Sequence, residues 1–311
     1  MSSDLSNLPT ETVEVCVNCK LGNAARDTTF EDWLCLNPPY QVRRCVGCAL
    51  RWLSPRPTSI GYESVYSAEN YFTVQAGTVV AYENLLDARI AHFRKRLATL
   101  DTYFPGQSVL SILDYGAATG EFVANAIKMG HSCIGVEFSS DARRIAFEKN
   151  EVTLYSSDEI PGGHPLFDVI HMNHVFEHMP NPTEHLAWCR EHLAANGLLV
   201  IEVPQQFNNH IDRLKRLLGR GGKFSEFGAF SLHHTYYFSA RNLEALLENN
   251  GFDVLQLTTD VAGPRLGGKQ TLKTILISII SWLSNVLFRG GDNIEVFARS
   301  TTPVIQLSTA E

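Results

Sequence analysis

Two glycines and two acids between residues 114 and 137 have the spacing of a nucleotide-binding loop. Asp114 ends an apolar run, Gly116 and Gly120 follow, and a helical pattern continues to Met129. Glycines let the backbone approach a ligand closely, and the free N–H groups at the start of the helix point toward it. Glu137 ends the next apolar run, where a carboxylate can accept hydrogen bonds from both hydroxyls of a ribose. The pattern predicts strand, loop, helix and strand around a bound nucleoside.

The loop lacks the G-x-G-x-x-G spacing of dinucleotide-binding proteins. Its order of acid, glycine, small residue and glycine resembles motif I of the class I methyltransferases that use S-adenosylmethionine (SAM). Ala118 stands where that family usually has glycine, and its methyl group fits the loop if φ is negative there. The segment 167–182, FDVIHMNHVFEHMPNP, is similar to the fourth strand and following turn of small-molecule methyltransferases. The resemblance covers residues 106–300.

This resemblance implies an α/β fold with a doubly wound, seven-stranded Rossmann-like sheet, and SAM as the cofactor. It places three residues around the methionine tail of SAM, one at its ribose, three near its adenine and two at its methyl end. In that order they are Asp114, Gly116 and Gly120; Glu137; Phe138, Ser157 and Asp158; Asn173 and His174. A plain turn or capping role is the alternative for each residue.

Histidines are frequent in the part of the chain that, in this family's topology, approaches the molecule that receives the methyl group. His171 lies inside a strand and is predicted to be a buried core residue. Glu177 and His178 resemble the family's EH pair and are predicted to shape the site, with helix capping as the alternative. His233 and His234 resemble a segment that closes the acceptor pocket in similar enzymes. One of this pair is the predicted general base because imidazole titrates near neutral pH, and the sequence leaves open which one faces inward.

Four of the seven cysteines form two C-x-x-C pairs separated by 25 residues. The pairs are Cys16 with Cys19 and Cys45 with Cys48. Two such knuckles complete a tetrahedral zinc site, and so short a segment cannot build a core alone. We therefore predict a structural zinc ribbon, with four reduced thiols in a short hairpin domain as the alternative. Cys35, between the pairs, is expected to be a spare buried residue.

The elements that position these residues divide the chain into four predicted parts. They are a zinc-ribbon-like module at 1–60, a helical linker or cap at 61–105, a methyltransferase domain at 106–300 and a tail at 301–311. Three aromatic residues of the linker either cover the cofactor or dock on the domain, namely Tyr66, Tyr71 and Phe72. The polar, acidic N-terminus has no apolar signal segment, and the cysteine usage suits a reducing compartment, which together predict a cytoplasmic protein.

A net charge of −7 argues against a nucleic-acid partner. Asn37-Pro38-Pro39-Tyr40 matches a motif with which DNA amino-methyltransferases hold a flipped base, but here it lies between the cysteine pairs. We interpret it as a proline-rich turn.

Two later segments resemble parts of a substrate site. The basic residues of 211–223 predict either an anionic acceptor, such as a nucleotide sugar or lipid-linked phosphate, or a solvated helix face. Residues 274–288 are apolar and uncharged but shorter than the roughly 20 residues that span a bilayer. They predict peripheral membrane contact or a lipid-tail pocket, with a buried helix or a homodimer interface as the alternatives.

The predicted function is therefore SAM-dependent methyl transfer to a small-molecule or glycan-type acceptor. The first candidate is O-methylation of a sugar, nucleotide sugar or lipid-linked saccharide. A four-cysteine module before such a domain resembles bacterial enzymes of secondary-metabolite and surface-sugar biosynthesis. These include deoxysugar C-methyltransferases, whose additional carboxyl-terminal domain this chain is expected to lack. The alternatives are sugar C-methylation, protein or RNA methylation, and a non-catalytic SAM-binding docking protein.

Overall fold

A computed structural model of the chain describes 8–34, 39–58, 60–61, 86–156, 159, 166–205, 234–260, 283, 285, 287 and 289–301. Several predicted features lie outside these residues. They are His233, Ser157, Asp158, Cys35, Asn37 and Pro38, the linker aromatics Tyr66, Tyr71 and Phe72, the basic residues of 211–223, most of 274–288 and the tail from residue 302.

Short strands surround the two cysteine pairs at the N-terminus. The elements are β1 (Thr10–Glu11), β2 (Ala24–Arg26), α1 (Thr28–Leu34), β3 (Val42–Cys45), β4 (Arg51–Leu53) and β5 (Arg56–Pro57). β2, β3 and β4 pair in antiparallel order, and β1 pairs with β5. Strands this short are not stable as isolated hairpins in water. The module therefore needs a further source of stability.

The rest of the described chain alternates strands and helices. The elements are α2 (Leu86–Leu100), β6 (Ser111–Tyr115), α3 (Glu121–Lys128), β7 (Ser132–Val136), α4 (Ser140–Asn150), β8 (Phe167–Asn173), a 3₁₀ turn (Phe176–His178), α5 (Pro182–His192), β9 (Leu193–Pro204), β10 (Tyr236–Tyr237), α6 (Ala240–Asn249), β11 (Phe252–Asp260) and β12 (Asn293–Ser300). This alternation is typical of an open α/β sheet with helices on its faces.

The central sheet has the strand order β11-β12-β9-β8-β6-β7. The strands β7, β6, β8 and β9 run parallel, whereas β12 is antiparallel to both of its neighbours. The segment 152–156 takes a seventh position beside β7 through a single parallel bridge between Val136 and Tyr155. The predicted doubly wound α/β sheet, preceded by a small cysteine-rich module, is confirmed.

Strand β9 illustrates why the sequence forms this sheet. Its residues Leu198 and Val200 belong to the apolar cluster on one face, while Leu199, Ile201 and Val203 belong to the cluster on the other. A parallel strand covered on both faces has a continuous apolar sequence instead of an alternating one. The sequence did not predict β11 because this strand lacks a continuous apolar sequence. It is an edge strand, and most of its residues are half-buried or exposed.

The N-terminal module shares a sheet and a core with the methyltransferase domain. β10 pairs with β4 and completes the four-stranded sheet of the module. The fully buried side chains of Trp52 and Phe238 lie in one apolar cluster. Asn18 Nδ2 also donates to the backbone oxygen of Asn242 at 3.1 Å. The module is therefore stabilised by the domain on which it packs.

Among the helices of the described residues, none is both long and apolar enough to cross a membrane.

Candidate functional site

The loop after β6 has the tight backbone that the sequence predicted. Gly116 has a φ of +79°, and a Cβ atom there would lie 2.4 Å from Val175 Cγ2. The N–H groups of Gly116 and Ala117 both donate to the backbone oxygen of Val136 at 2.9 Å. Position 116 therefore requires glycine for two reasons, namely its left-handed backbone conformation and its close approach to Val175.

Replacing Gly116 with alanine should lower the free energy of unfolding by about 2–4 kcal/mol, because left-handed strain and overlap with Val175 add. Gly106 provides a matched control. Its φ is +82°, but nothing lies within 4 Å of a Cβ built there. Gly106→Ala should cost only the strain, about 1–2 kcal/mol. Chemical denaturation of both variants checks this prediction, and equal losses would contradict the argument from Val175.

Glu137 lies beside this loop and is half-buried. Its Oε2 accepts from Ala118 N and its Oε1 from Ser139 N, both at 2.8 Å. Burial raises the pKa of Glu137, and these two backbone hydrogen bonds oppose that effect. Each carboxylate oxygen can accept a further hydrogen bond, so both contacts are compatible with a ribose. Ala118 has a φ of +47°, so the negative φ that would let its methyl group fit the loop easily is not adopted.

Asp114 and His171 form a buried pair under the loop. His171 Nδ1 lies 2.7 Å from Asp114 Oδ1, and His171 Nε2 lies 2.8 Å from Arg96 Nη1. The guanidinium can only donate, so Nε2 is the acceptor and Nδ1–H donates to Asp114. Burial lowers the pKa of His171, which agrees with a neutral ring. The prediction that His171 is a core residue is confirmed, and the contact of Asp114 with SAM stays a prediction.

Charged residues around Arg96 form a buried network that the sequence pattern did not predict. This side chain is almost fully buried, donates to Asn173 Oδ1 at 2.9 Å and pairs with Glu202 and Glu295. A signal was present for two of them. Arg96 lies on the apolar face of its helix, and Glu202 interrupts the apolar sequence of β9. A charge in an apolar pattern indicates a buried partner or a functional site.

The other candidate cofactor residues are less enclosed. The side chain of Phe138 is exposed, as an adenine-stacking residue requires, and its contact with adenine stays a prediction. His174 follows β8 with a φ of +55°, and its Nε2 lies 3.3 Å from Glu202 Oε1. Non-glycine residues in this conformation are uncommon and are enriched at functional sites.

The predicted catalytic residues His178 and His234 meet at a buried carboxylate. Glu177 Oε1 lies 3.6 Å from His178 Nε2 and 4.0 Å from His234 Nε2, and His174 Nδ1 lies 3.7 Å from the same oxygen. The Glu177 side chain is 1% exposed, and neither of its oxygens has a hydrogen-bond partner among the described residues. We call Glu177, His178 and His234 the acceptor cluster.

The pKa values of Glu177 and His234 are both shifted downward. Burial would raise the pKa of Glu177, but His178 and His174 together hold it at about 2, so the carboxylate is anionic at neutral pH. Burial, followed by the charge of His178, lowers the pKa of His234 to about 3. The His234 ring is therefore neutral at neutral pH.

Backbone contacts from the N-terminal module position this cluster. Thr235 N donates to the Glu177 backbone oxygen at 2.9 Å, and Thr235 Oγ1 donates to the His178 backbone oxygen at 3.1 Å. Leu53 N, in β4, donates to the backbone oxygen of Thr235 at 2.9 Å. The segment that carries His234 is therefore held between the 3₁₀ turn and the cysteine-rich module.

The four predicted zinc ligands come together in the structure. Their sulfur atoms all lie within 4.8 Å of one another, and Cys16 Sγ lies 3.7 Å from Cys48 Sγ. Tetrahedral zinc with Zn–S bonds of about 2.3 Å separates its sulfur atoms by about 3.8 Å. The two knuckles also have matching backbones, since Lys20 N donates to Cys16 O and Ala49 N donates to Cys45 O. The cluster of Cys16, Cys19, Cys45 and Cys48 thus has the spacing of a closed zinc site.

Comparison with known proteins agrees with this geometry. A family model described as a methyltransferase domain matches residues 82–257. The C-methyltransferase NovU of Streptomyces niveus is 24% identical over 233 residues, which are 72% of this chain and 49% of that protein. The chain therefore spans about half the length of this curated relative.

Two solved structures share the fold. The plantazolicin methyltransferase BpumL, bound to S-adenosylhomocysteine (SAH), is 16% identical and has a TM-score of 0.51, with 77% of this chain and 93% of that chain covered. The 1,6-didemethyltoxoflavin-N1-methyltransferase of Burkholderia thailandensis, also bound to SAH, is 16% identical with a TM-score of 0.51, and the match covers 86% of this chain and 98% of that one.

Proposed function

The chain belongs to the class I methyltransferase-domain family, and we propose that it transfers the methyl group of SAM to a small acceptor bound beside the acceptor cluster. One observation carries the proposal. Val175 lies against Gly116 of the loop that Glu137 also contacts, and Glu177 and His178 of the acceptor cluster closely follow Val175 in the chain. A cofactor held by the loop would present its methyl group toward that cluster.

The reaction follows from this arrangement. The acceptor atom forms a bond to the methyl carbon, the bond between that carbon and the sulfonium sulfur breaks, and SAH leaves as a neutral thioether. A hydroxyl acceptor also loses its proton. We propose that this loss takes place at the acceptor cluster and requires His178 and His234, with His233 as a further candidate beyond the described residues. Alignment of the two reactants and exclusion of water supply the remaining acceleration.

The cofactor is proposed to make the contacts that the sequence predicted. Glu137 is the strongest candidate because its half-buried carboxylate binds the loop and can accept two further hydrogen bonds. Gly116 and Gly120, both with positive φ, let the backbone approach the methionine tail. Asp114 and Phe138 keep their predicted roles at the tail and the adenine.

The proposed acceptor is a hydroxyl of a sugar-type molecule. An oxygen acceptor needs the removal of one proton, which a single polar cluster can perform, whereas a carbon acceptor also needs an enolate to be stabilised. The relative named as a C-methyltransferase favours carbon as the second candidate. Nuclear magnetic resonance of the methylated product distinguishes the two, because an oxygen-bound and a carbon-bound methyl group have different chemical shifts.

The four-cysteine cluster is proposed to hold one structural zinc ion. Four thiolates complete a tetrahedral shell and leave no open position, so this ion would stabilise the module and would not take part in the reaction. Its support is the sulfur spacing together with the matching backbones of the two knuckles.

Calorimetry with SAH tests the proposed function. We expect the purified chain to bind SAH, and Glu137→Gln to weaken that binding by about 10- to 100-fold, the equivalent of a lost charged hydrogen bond. Glu148→Gln, on the exposed surface of α4, is the control and should bind SAH as the original chain does. If the folded chain takes up neither SAM nor SAH, the proposed function is wrong. Equal affinity of the Glu137→Gln variant would remove Glu137 from the ribose site.

A further inference from the structure

We propose that the acceptor cluster is a second metal site, in which Glu177, His178 and His234 bind one divalent cation such as Zn²⁺. One carboxylate oxygen and two imidazole nitrogens come together there, and all three ligand atoms lie within 4.8 Å of one another. This site is separate from the four cysteines and differs from them in its chemistry.

The distances between the Glu177 carboxylate and the two imidazoles are compatible with a shared metal ion. A hydrogen bond between nitrogen and oxygen has a length of about 2.7–3.2 Å. The distances from Glu177 Oε1 to His178 Nε2 and His234 Nε2 are longer, at 3.6 and 4.0 Å. Ligands around tetrahedral zinc, with bonds of about 2.0–2.2 Å, lie about 3.4 Å apart. A small inward rotation of the imidazoles would bring the three atoms into coordination.

Burial provides an independent argument. The Glu177 side chain is 1% exposed, and neither oxygen accepts a hydrogen bond from the described residues. A buried carboxylate that lacks hydrogen bonds costs several kcal/mol unless a cation compensates it. Arginine pairs with two other buried acids of this domain, since Arg96 binds Glu202 and Arg89 lies 3.7 Å from Glu121. No arginine or lysine pairs with Glu177 among the described residues, and its charged neighbours there are imidazoles. A cation bound by these imidazoles would compensate the carboxylate directly.

The chemical nature of the three ligands indicates which metal binds at this site. Two imidazoles and one carboxylate suit zinc and the neighbouring transition metals better than calcium or magnesium, which prefer oxygen ligands. Three protein ligands leave the fourth tetrahedral position open, as in catalytic zinc sites, whereas the four cysteines close theirs. If the proposed function is correct, an acceptor hydroxyl would occupy this position, and the cation would lower its pKa. Metal binding itself does not depend on the proposed function.

Zinc titration of the full chain tests the site without SAM or an acceptor. We expect two zinc ions per chain by elemental analysis, and one in both Glu177→Gln and His178→Ala, which keep the four cysteines. Affinity at the second site should fall by roughly 100-fold or more in each variant. His192→Gln, in α5 and outside the cluster, should keep both ions.

Cobalt distinguishes the two sites by spectroscopy. Co²⁺ at the cysteines gives sulfur-to-metal charge-transfer absorption, whereas Co²⁺ at the acceptor cluster gives only weaker d–d bands, and Glu177→Gln should remove those bands alone. Circular dichroism on each variant confirms that it is folded. The inference is overturned if the original chain binds one ion, or if both variants bind two. Methyl transfer that continues at an equal rate with one ion per chain would leave the proposed function standing, because the histidines then act without a metal.

Discussion

Replacement of His178 and His234 together by alanine should lower kcat for methyl transfer by about 10²–10⁴-fold, the range for loss of the group that handles a proton in the transition state. The affinity for SAH should stay within a factor of two, because the cofactor loop is held by Val136 and Glu137 and not by these imidazoles. A fall in kcat without a fall in cofactor binding separates a role in the reaction from a role in folding.

The single variants and one control refine this result. Residues that act as a unit are not additive, so either single variant should lose nearly as much activity as the double variant. His192→Ala removes a half-buried histidine of the same domain, at the end of α5 and outside the acceptor cluster, and should leave kcat unchanged. Activity of the double variant equal to that of the original chain would refute the proposed role of both residues.

Replacement of Cys45 by serine should abolish stoichiometric zinc binding at the cysteines and destabilise the N-terminal module. Small metal-stapled modules derive most of their folding free energy from the ion, so we expect a loss well above about 3 kcal/mol for this part of the chain. Activity should fall as well. The reason is that Leu53 N, in β4, donates to the backbone oxygen of Thr235. Thr235 in turn donates to the backbone oxygens of Glu177 and His178.

The measurements for this variant are zinc content, thermal unfolding and kcat. Cys133→Ala serves as the control because Cys133 is buried in the other apolar cluster, away from the four ligands. It should keep the zinc and lose only a small amount of stability. Full zinc content in the Cys45→Ser variant would contradict the proposed ligand set, and normal kcat without zinc would contradict the coupling through Thr235.

The cofactor loop and the cysteine knuckles were predictable because each is local in the sequence. Gly116 and Gly120 are four residues apart, and each cysteine pair lies within one turn of backbone. The conformation of such turns is determined by φ preferences, by glycine and by hydrogen bonds between residues close in sequence, all of which depend on neighbouring residues. The left-handed conformation of Ala118 is the exception, since a side chain 19 residues away accepts its N–H.

The sequence by itself therefore determined the family, the order of strands and helices around the loop, and the two cysteine pairs. Only the tertiary structure decided which polar and charged side chains meet. His234 lies against Glu177, and Thr235 against His178, across 57 residues of chain. Arg96 pairs with Glu295 across 199 residues. Such pairs form because packing removes water from both partners, so each buried polar or charged group needs a partner within the protein. The periodicity of a sequence does not say which residue that partner is.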